Sequence, residues 1–181
     1  QDHNIIMVGE IRDEETARIA VEASLTGHLL FSTLHTNDAP STVSRLIDMG
    51  VEPYLLSSSL VGICAQRLAR MLCRCKKKLP MTPEAMAVLG LGPEDEPNIF
   101  GPRPDGCRIC GGTGYKGRMG IHELLAISEG IQRLIHRKAP SGEIRTQALN
   151  DGMIPMYLDG LVRVKKGLLS PLDLKRVASQ D

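Results

Sequence analysis

The residues able to do chemistry fall into two sets. In "NIIMVGEIRDEETA", residues 4 to 17, four apolar residues run through Gly9 into Glu10, Arg12 and Asp13, and "HLLFSTL", residues 28 to 34, runs likewise into His35. A carboxylate held at a strand tip can orient an attacking water or hold a magnesium ion through water, and an imidazole beside it can sense or contact a phosphate. Each residue alone also suits a plainer role, Glu10 in a capped helix start and His35 as a surface histidine. The second set is cysteine: Cys73 and Cys75 in "LCRCK", Cys107 and Cys110 in "CRIC". A structural zinc ion wants four thiolates in a tetrahedron, with short spacing inside each pair and free spacing between pairs. "CRIC" has the spacing of a metal knuckle, and the glycines after it relieve crowding where the backbone folds around an ion. Reduced buried or surface thiols are the alternative.

The elements that position these residues follow from periodicity. Ile5 to Val8 read as a buried strand; Asp13 caps a helix carrying Glu14 and Glu15 in its first turn, Ala17, Val21 and Leu25 recur at helical spacing, and Gly27 stops it. "HLLFSTL" reads as a second buried strand, so the stretch is a βαβ unit with parallel strands. Ligands bind at the carboxyl ends of such strands, and Glu10 and His35 share that edge. Asp38 and Pro40 open a further helix that closes at Gly50, and "YLLSSSLVGICAQRLARML" reads as one longer apolar helix ending at the first cysteines, with Cys64 as ordinary core on it. A stretch rich in Pro and Gly, from Pro80 to Gly106, carries the helical patch "PEAMAVLG". "RMGIHELLAI" reads as a strand, and about four short amphipathic helices broken by Pro140, Gly152 and Pro171 follow.

The composition bounds the class. The 181 residues, 42% apolar, suit a globular chain with a core, and 22 Lys and Arg against 21 Asp and Glu argue neither for nor against nucleic acid by charge. No apolar run approaches the roughly 18 to 20 residues that span a bilayer, so the expectation is a cytosolic protein, or one peripheral to a membrane on its cytosolic side. "GTGYKG", residues 112 to 117, fits G-x-G-x-x-G but follows a knuckle rather than a strand, so it reads as a knuckle tip with Tyr115 and Lys116. The lysines of "CKKK" read as a solvated loop, since three Tyr, two Phe and no Trp leave little for base stacking. The start at Gln1, with a strand by residue 5, suggests an excised piece.

Residues 4 to 72, with "MVGEIRD" and "TGHLLFSTLHTNDA", closely resemble the second half of the motor domain of the secretion ATPase superfamily, which serves type II secretion and type IV pilus assembly; the likeness continues through the cysteines and "GRMGIHELL". In that family the two motifs are the Walker B and histidine boxes. The resemblance implies an α/β fold, a partial RecA-like P-loop NTPase core of parallel βαβ type over residues 1–72, with a tetracysteine zinc-binding insertion at 73–117 and a strand and helical subdomain at 118–181. It implies three catalytic residues, Glu10 as the Walker B glutamate that activates water or organises the metal, and His28 and His35 as the paired histidines with His35 favoured as the γ-phosphate sensor. It implies Arg12 and Arg118 as nucleotide or subunit contacts, though each arginine also suits a solvated charge. It implies ATP with Mg2+, Zn2+ at Cys73, Cys75, Cys107 and Cys110, and a homohexamer. The implied partners are an inner-membrane platform protein and a recruiting protein on the cytoplasmic side, with no nucleic acid.

Two departures bear on this. No G-x-x-x-x-G-K-[ST] occurs in the sequence, so the cradle for the β- and γ-phosphates is missing and the chain as given should not hydrolyse ATP by itself. The first cysteine pair is C-x-C, one residue short of the family's usual C-x-x-C, and its tighter reach is a question for the structure. The cysteines favour assembly or secretion motors over retraction motors, which generally lack them. A competing reading is a stand-alone zinc-stabilised interaction module without catalysis.

Overall fold

Strands β1 (Ile5–Met7) and β2 (Leu29–Phe31) pair in parallel across helix α1 (Glu14–Leu25), as the periodicity predicts, in a computed structural model that describes residues 4–80, 82–91 and 99–178. The Asp13 side chain accepts from the Thr16 amide at 2.8 Å and starts α1; Gly27, at φ +96°, turns the chain out of it. Helices α2 (Ala39–Asp48) and α3 (Pro53–Ser59) follow. Then come strand β3 (Gly62–Leu72), the short strand β4 (Lys77–Lys78), helix α4 (Pro83–Val88), the short strand β5 (Phe100–Gly101) and the long strand β6 (Tyr115–Ala126). Helices α5 (Glu129–His136), α6 (Ser141–Asn150), α7 (Met156–Lys165) and α8 (Pro171–Val177) complete the described chain. None of these helices is long and apolar enough to cross a membrane.

The contacts gather the chain into two compact units: one runs to Ala65 and takes in Glu123–Met153, the other comprises Gln66–His122 and the chain from Ile154 onward. These divisions cut β3 and β6, whereas divisions drawn on motifs fall after residues 72 and 117. In the first unit α3 packs on α1 and α5, and α2 on α6. Its core gathers Ala17, Val21, Val43, Leu46, Leu56, Leu125, Ile131 and Ile144, a face that each helix supplies at three- and four-residue spacing.

Two expectations are corrected here. The long helix through residue 72 does not form: α3 ends at Ser59, and residues 62–72 are a strand hydrogen-bonded to β6. Ser57 and Ser58 turn their hydroxyls back to the Tyr54 carbonyl at 3.0 and 2.9 Å, a local competitor of helix, and the chain leaves extended at Leu60. Periodicity alone could not separate helix from strand in this apolar run, and a long partner strand decided it. Cys64 therefore sits exposed on β3 rather than in a helix core. The second correction concerns β1 and β2, which are half-buried on one face and exposed on the other. Ile5, Met7, Leu29 and Phe31 are 46–81% exposed, and the register sets them side by side as an open apolar face.

In the second unit a buried carboxylate anchors α8. Asp173, fully buried, accepts from the Arg70 amide at 2.6 Å, from Arg70 Nε at 2.9 Å and from Arg176 Nε at 2.9 Å. The Arg70 guanidinium lies 4.2 Å from the centre of the Tyr115 ring, and the Tyr115 hydroxyl meets Ser170 Oγ at 3.0 Å. Tyr115 is thus packed at the start of β6 and is not a knuckle tip. Lys76, too, is no solvated loop residue: its Nζ donates to the Gly167 carbonyl at 2.6 Å and lies 4.4 Å from the centre of the Phe100 ring.

Asp173→Ala strips a charged acceptor from the Arg70 amide and from two half-exposed guanidinium groups, so it should destabilise this unit by about 1.5–3 kcal/mol, read by chemical denaturation beside the parent protein. Burial works against ionisation of Asp173, but the bonds from Arg176 and Arg70 prevail and hold its carboxyl below the usual range. Its stabilisation is complete above the unfolded-chain value of about 3.9 and is lost as pH falls through the lower folded value. The variant's deficit should therefore shrink in acid.

Candidate functional site

Parallel pairing extends beyond the strands and brings the two candidate loops together. The Val8 amide donates to the Phe31 carbonyl and the Ile11 amide to the Thr33 carbonyl, both at 2.9 Å, while Thr33 Oγ1 donates to the Gly9 carbonyl at 2.7 Å. Glu10 and His35 are carried past these bonds on neighbouring segments, at the carboxyl edge where α/β sheets bind ligands. His35 Nε2 lies 3.2 Å from Glu10 Oε2, and Arg12 Nε lies 2.7 Å from the same oxygen. The Arg12 guanidinium holds the Glu10 carboxyl below the usual carboxylate range; partial burial opposes it and His35 adds to it. Glu10 is therefore a carboxylate at neutral pH, able to accept a proton or a metal-bound water. The His35 and Arg12 side chains are 81% and 70% exposed, so the cluster opens to solvent. A Cβ built at Gly9 would meet no atom within 4 Å, which leaves open space beside the acid.

Of the other predicted residues, one lies in the same unit but away from this cluster and one belongs to the second unit. His28 precedes β2, at the strand end remote from His35, and its Nδ1 lies 3.1 Å from both the Ala23 carbonyl and Thr26 Oγ1, beside the last turn of α1. Arg118 is exposed on β6 in the second unit.

The cysteines do converge. The Sγ atoms of Cys73, Cys75, Cys107 and Cys110 all lie within 4.8 Å of one another, with Cys73 to Cys107 at 3.8 Å, Cys107 to Cys110 at 3.8 Å and Cys75 to Cys110 at 4.0 Å. Four sulfurs about 2.3 Å from a central zinc stand about 3.8 Å apart in a tetrahedron, so the donor set fits that ion and the C-x-C pair reaches it. Burial opposes ionisation of Cys110, but amides of Cys107 (3.1 Å) and Gly114 (3.3 Å) donate to its Sγ and hold its pKa at about 6. Burial, with the neighbouring thiols, pushes Cys75 up to about 12. One sulfur is thus ready to bind as thiolate, whereas another needs a cation to lose its proton. A Cβ at Gly106, where φ is +50°, would lie 2.7 Å from Cys110 Sγ and 2.4 Å from the Gly112 carbonyl carbon, so the knuckle closes only around glycine.

The residues not predicted from sequence are Glu123 and Arg145. Glu123, 3% exposed, alternates with Ile121 and Leu125 at inward positions of β6. An acid in the inward register of an apolar strand is the signal that "GIHELLA" carried.

The sequence matches the family described as Type II/IV secretion system protein over residues 1–177. It is 46% identical over 183 aligned residues to type II secretion system protein E of Aeromonas hydrophila, covering 100% of this chain and 36% of that protein. It is 48% identical over 172 residues to type IV pilus assembly ATPase PilB of Thermus thermophilus, covering 93% and 19%. Among solved structures, the pilus retraction motor PilT with bound ADP aligns at TM-score 0.65 and 25% identity, over 98% of this chain and 40% of that one. The Legionella pneumophila ATPase DotB aligns at 0.61 and 20%, over 96% and 38%, a likeness of fold. The chain thus spans well under half the length of these proteins. With its match running through nearly every described residue, from the strand-tip acid to the last helix, the chain belongs to the type II/IV secretion system protein family.

Proposed function

We propose that this chain is the carboxyl-terminal part of a hexameric motor that hydrolyses ATP to drive pilin or pseudopilin assembly, in pilus biogenesis or type II secretion. The observation that carries the reading is the Glu10 carboxylate held 3.2 Å from His35 at the carboxyl edge of a parallel strand pair. In this reading the chain supplies half of a RecA-like core. The open face of Ile5, Met7, Leu29 and Phe31 packs against further helices of the same core, since helices cover both faces of a parallel sheet.

Glu10 orients the attacking water, or holds Mg2+ through water, with Oε1, because Arg12 and His35 both engage Oε2. His35, exposed beside it, contacts the γ-phosphate from its place against Glu10. Arg12 and Arg118 serve nucleotide or subunit contacts, and His28, the other predicted catalytic histidine, braces the turn between α1 and β2 instead. The tetracysteine set holds zinc, which supplies a structural cross-link. The motor works at the cytoplasmic side of the inner membrane, with a platform protein and a recruiting protein as partners.

The test is His35→Ala in the full-length protein. Loss of one electrostatic contact to transferring phosphate should lower kcat about 100- to 1,000-fold with nucleotide binding retained. Turnover at the parent rate would remove His35 from the reaction.

A further inference from the structure

The loop that carries His35 is fastened at its far end by groups outside the cluster. Thr36 Oγ1 and Thr42 Oγ1 meet at 2.8 Å, and Asp38 Oδ1 accepts from the Ser41 amide at 2.8 Å to cap α2. The amide of Ala39, the first residue of α2, donates to Glu123 Oε1 at 2.9 Å. Arg145, from α6, lies between the two acids, with Nη2 3.1 Å from Asp38 Oδ2 and Nη1 3.8 Å from Glu123 Oε2. All of these residues belong to the first unit.

A buried carboxylate is costly unless its charge and lone pairs are met. Glu123 is 3% exposed, and its location is informative. It does not brace the hydrophobic core at random but meets the start of a helix, where an unpaired amide and the positive end of the helix dipole favour an acid. The same helix start is already capped by Asp38, so Glu123 adds a second, buried constraint on the segment between β2 and α2. At its near end that segment is tied to the Glu10 loop through Thr33 and Ile11. Held at both ends, residues 33 to 38 have little freedom to carry the His35 ring away from Glu10. A hydrophobic side chain at position 123 would fill the same space without reaching the Ala39 amide.

We propose that Glu123 and Arg145 form a positioning latch that holds the His35 loop against Glu10, so that they act on ATP turnover through His35. This rests on the hydrolytic reading of Glu10 and His35. Neither residue touches the reacting groups; their effect is on geometry, where a misplacement of about 1 Å can cost on the order of 100-fold in rate.

The experiment uses the full-length protein with Glu123→Gln, Arg145→Ala and His35→Ala, singly and with each latch variant combined with His35→Ala. Hydrogen exchange over residues 32–40 reads the latch itself, and steady-state ATPase assays give kcat and KM. Glutamine at 123 keeps the side chain's size and an oxygen for the Ala39 amide while removing the charge that faces Arg145. Arg145 is only 31% exposed, so its truncation also removes packing of the stem, and Glu123→Gln is the variant that isolates the charge.

The expected result is faster exchange in the loop in both latch variants. It is joined by a fall in kcat of about tenfold with KM within about twofold, and no further fall when either is combined with His35→Ala, because residues acting as one unit are non-additive. A structural role alone would give losses that multiply with that of His35→Ala, and that outcome overturns the proposal. Unchanged exchange, or parent-level kcat in both latch variants while His35→Ala is impaired, also overturns it. If His35→Ala itself turns over at the parent rate, the hydrolytic role of His35 fails, and the exchange data alone then decide whether Glu123 and Arg145 hold the loop.

Discussion

Cys110→Ser in the full-length protein is expected to abolish zinc binding and to loosen the second unit. Cys110 is the sulfur with the most support: it is buried, it accepts two backbone amides at 3.1 and 3.3 Å, and its pKa of about 6 makes it thiolate at neutral pH. Serine offers a harder, less acidic oxygen in the same space and cannot replace that thiolate. Cys107 follows a tight turn through Asp105 and Gly106, both at positive φ, a geometry that the metal cross-link helps to hold. The knuckle's ties to the rest of the unit run through the Cys73 amide to the Gly114 carbonyl, the Leu72 amide to the Leu168 carbonyl, and Lys76 to Gly167.

Structural zinc contributes about 10–16 kcal/mol of apparent binding energy in small zinc domains, so losing even a fraction of it exceeds most point substitutions. Metal analysis should fall from about one equivalent per chain, the load of a four-thiolate site, to a trace. The variant's thermal unfolding should move to lower temperature. One equivalent of zinc retained by Cys110→Ser would show that the cysteines do not act as a set.

The largest kinetic effect is expected at Glu10. Glu10→Gln preserves size and one acceptor oxygen but removes the negative charge that Arg12 and His35 converge on. A neutral amide can neither take a proton from water nor attract a metal-bound one, so kcat of the full-length protein should fall by about 100- to 10,000-fold, the span associated with a positioned general base. ATP affinity should change little, because the proposed role lies in the step after binding. The fold should hold, since Glu10 is partly exposed and its contacts are local.

Much of the first site was legible because local signals agreed with tertiary structure. Asp13 and Asp38 cap their helices as their types and spacing predict, and Gly27 and Gly50 end them at positive φ. Once the βαβ unit was recognised, the proximity of Glu10 and His35 followed from parallel pairing alone. What escaped was decided by partners distant in sequence. Residues 62–72 carry apolar side chains at spacings that suit a helix, and only β6, some fifty residues later, makes them a strand. Strand order and pairing of this kind have no local signature. The exposed faces of β1 and β2 were equally beyond reach, because an apolar run says that a face can be buried and not what covers it. Spacing also undersold Cys75: a C-x-C pair looks cramped in sequence, yet the extended end of β3 and the turn after Cys73 swing both sulfurs to one side. Glu123 gave the clearest neglected signal, an acid in the inward register of an apolar strand.

The central claim is that Glu10 acts in the hydrolytic step. Its most direct test is a single-turnover measurement on the full-length protein with Glu10→Gln, in which radiolabelled ATP is pre-bound in the presence of magnesium and the appearance of inorganic phosphate is followed. The account predicts that ATP binds with near-parent affinity and remains intact over many parent turnover times. Phosphate appearing at the parent rate would contradict it.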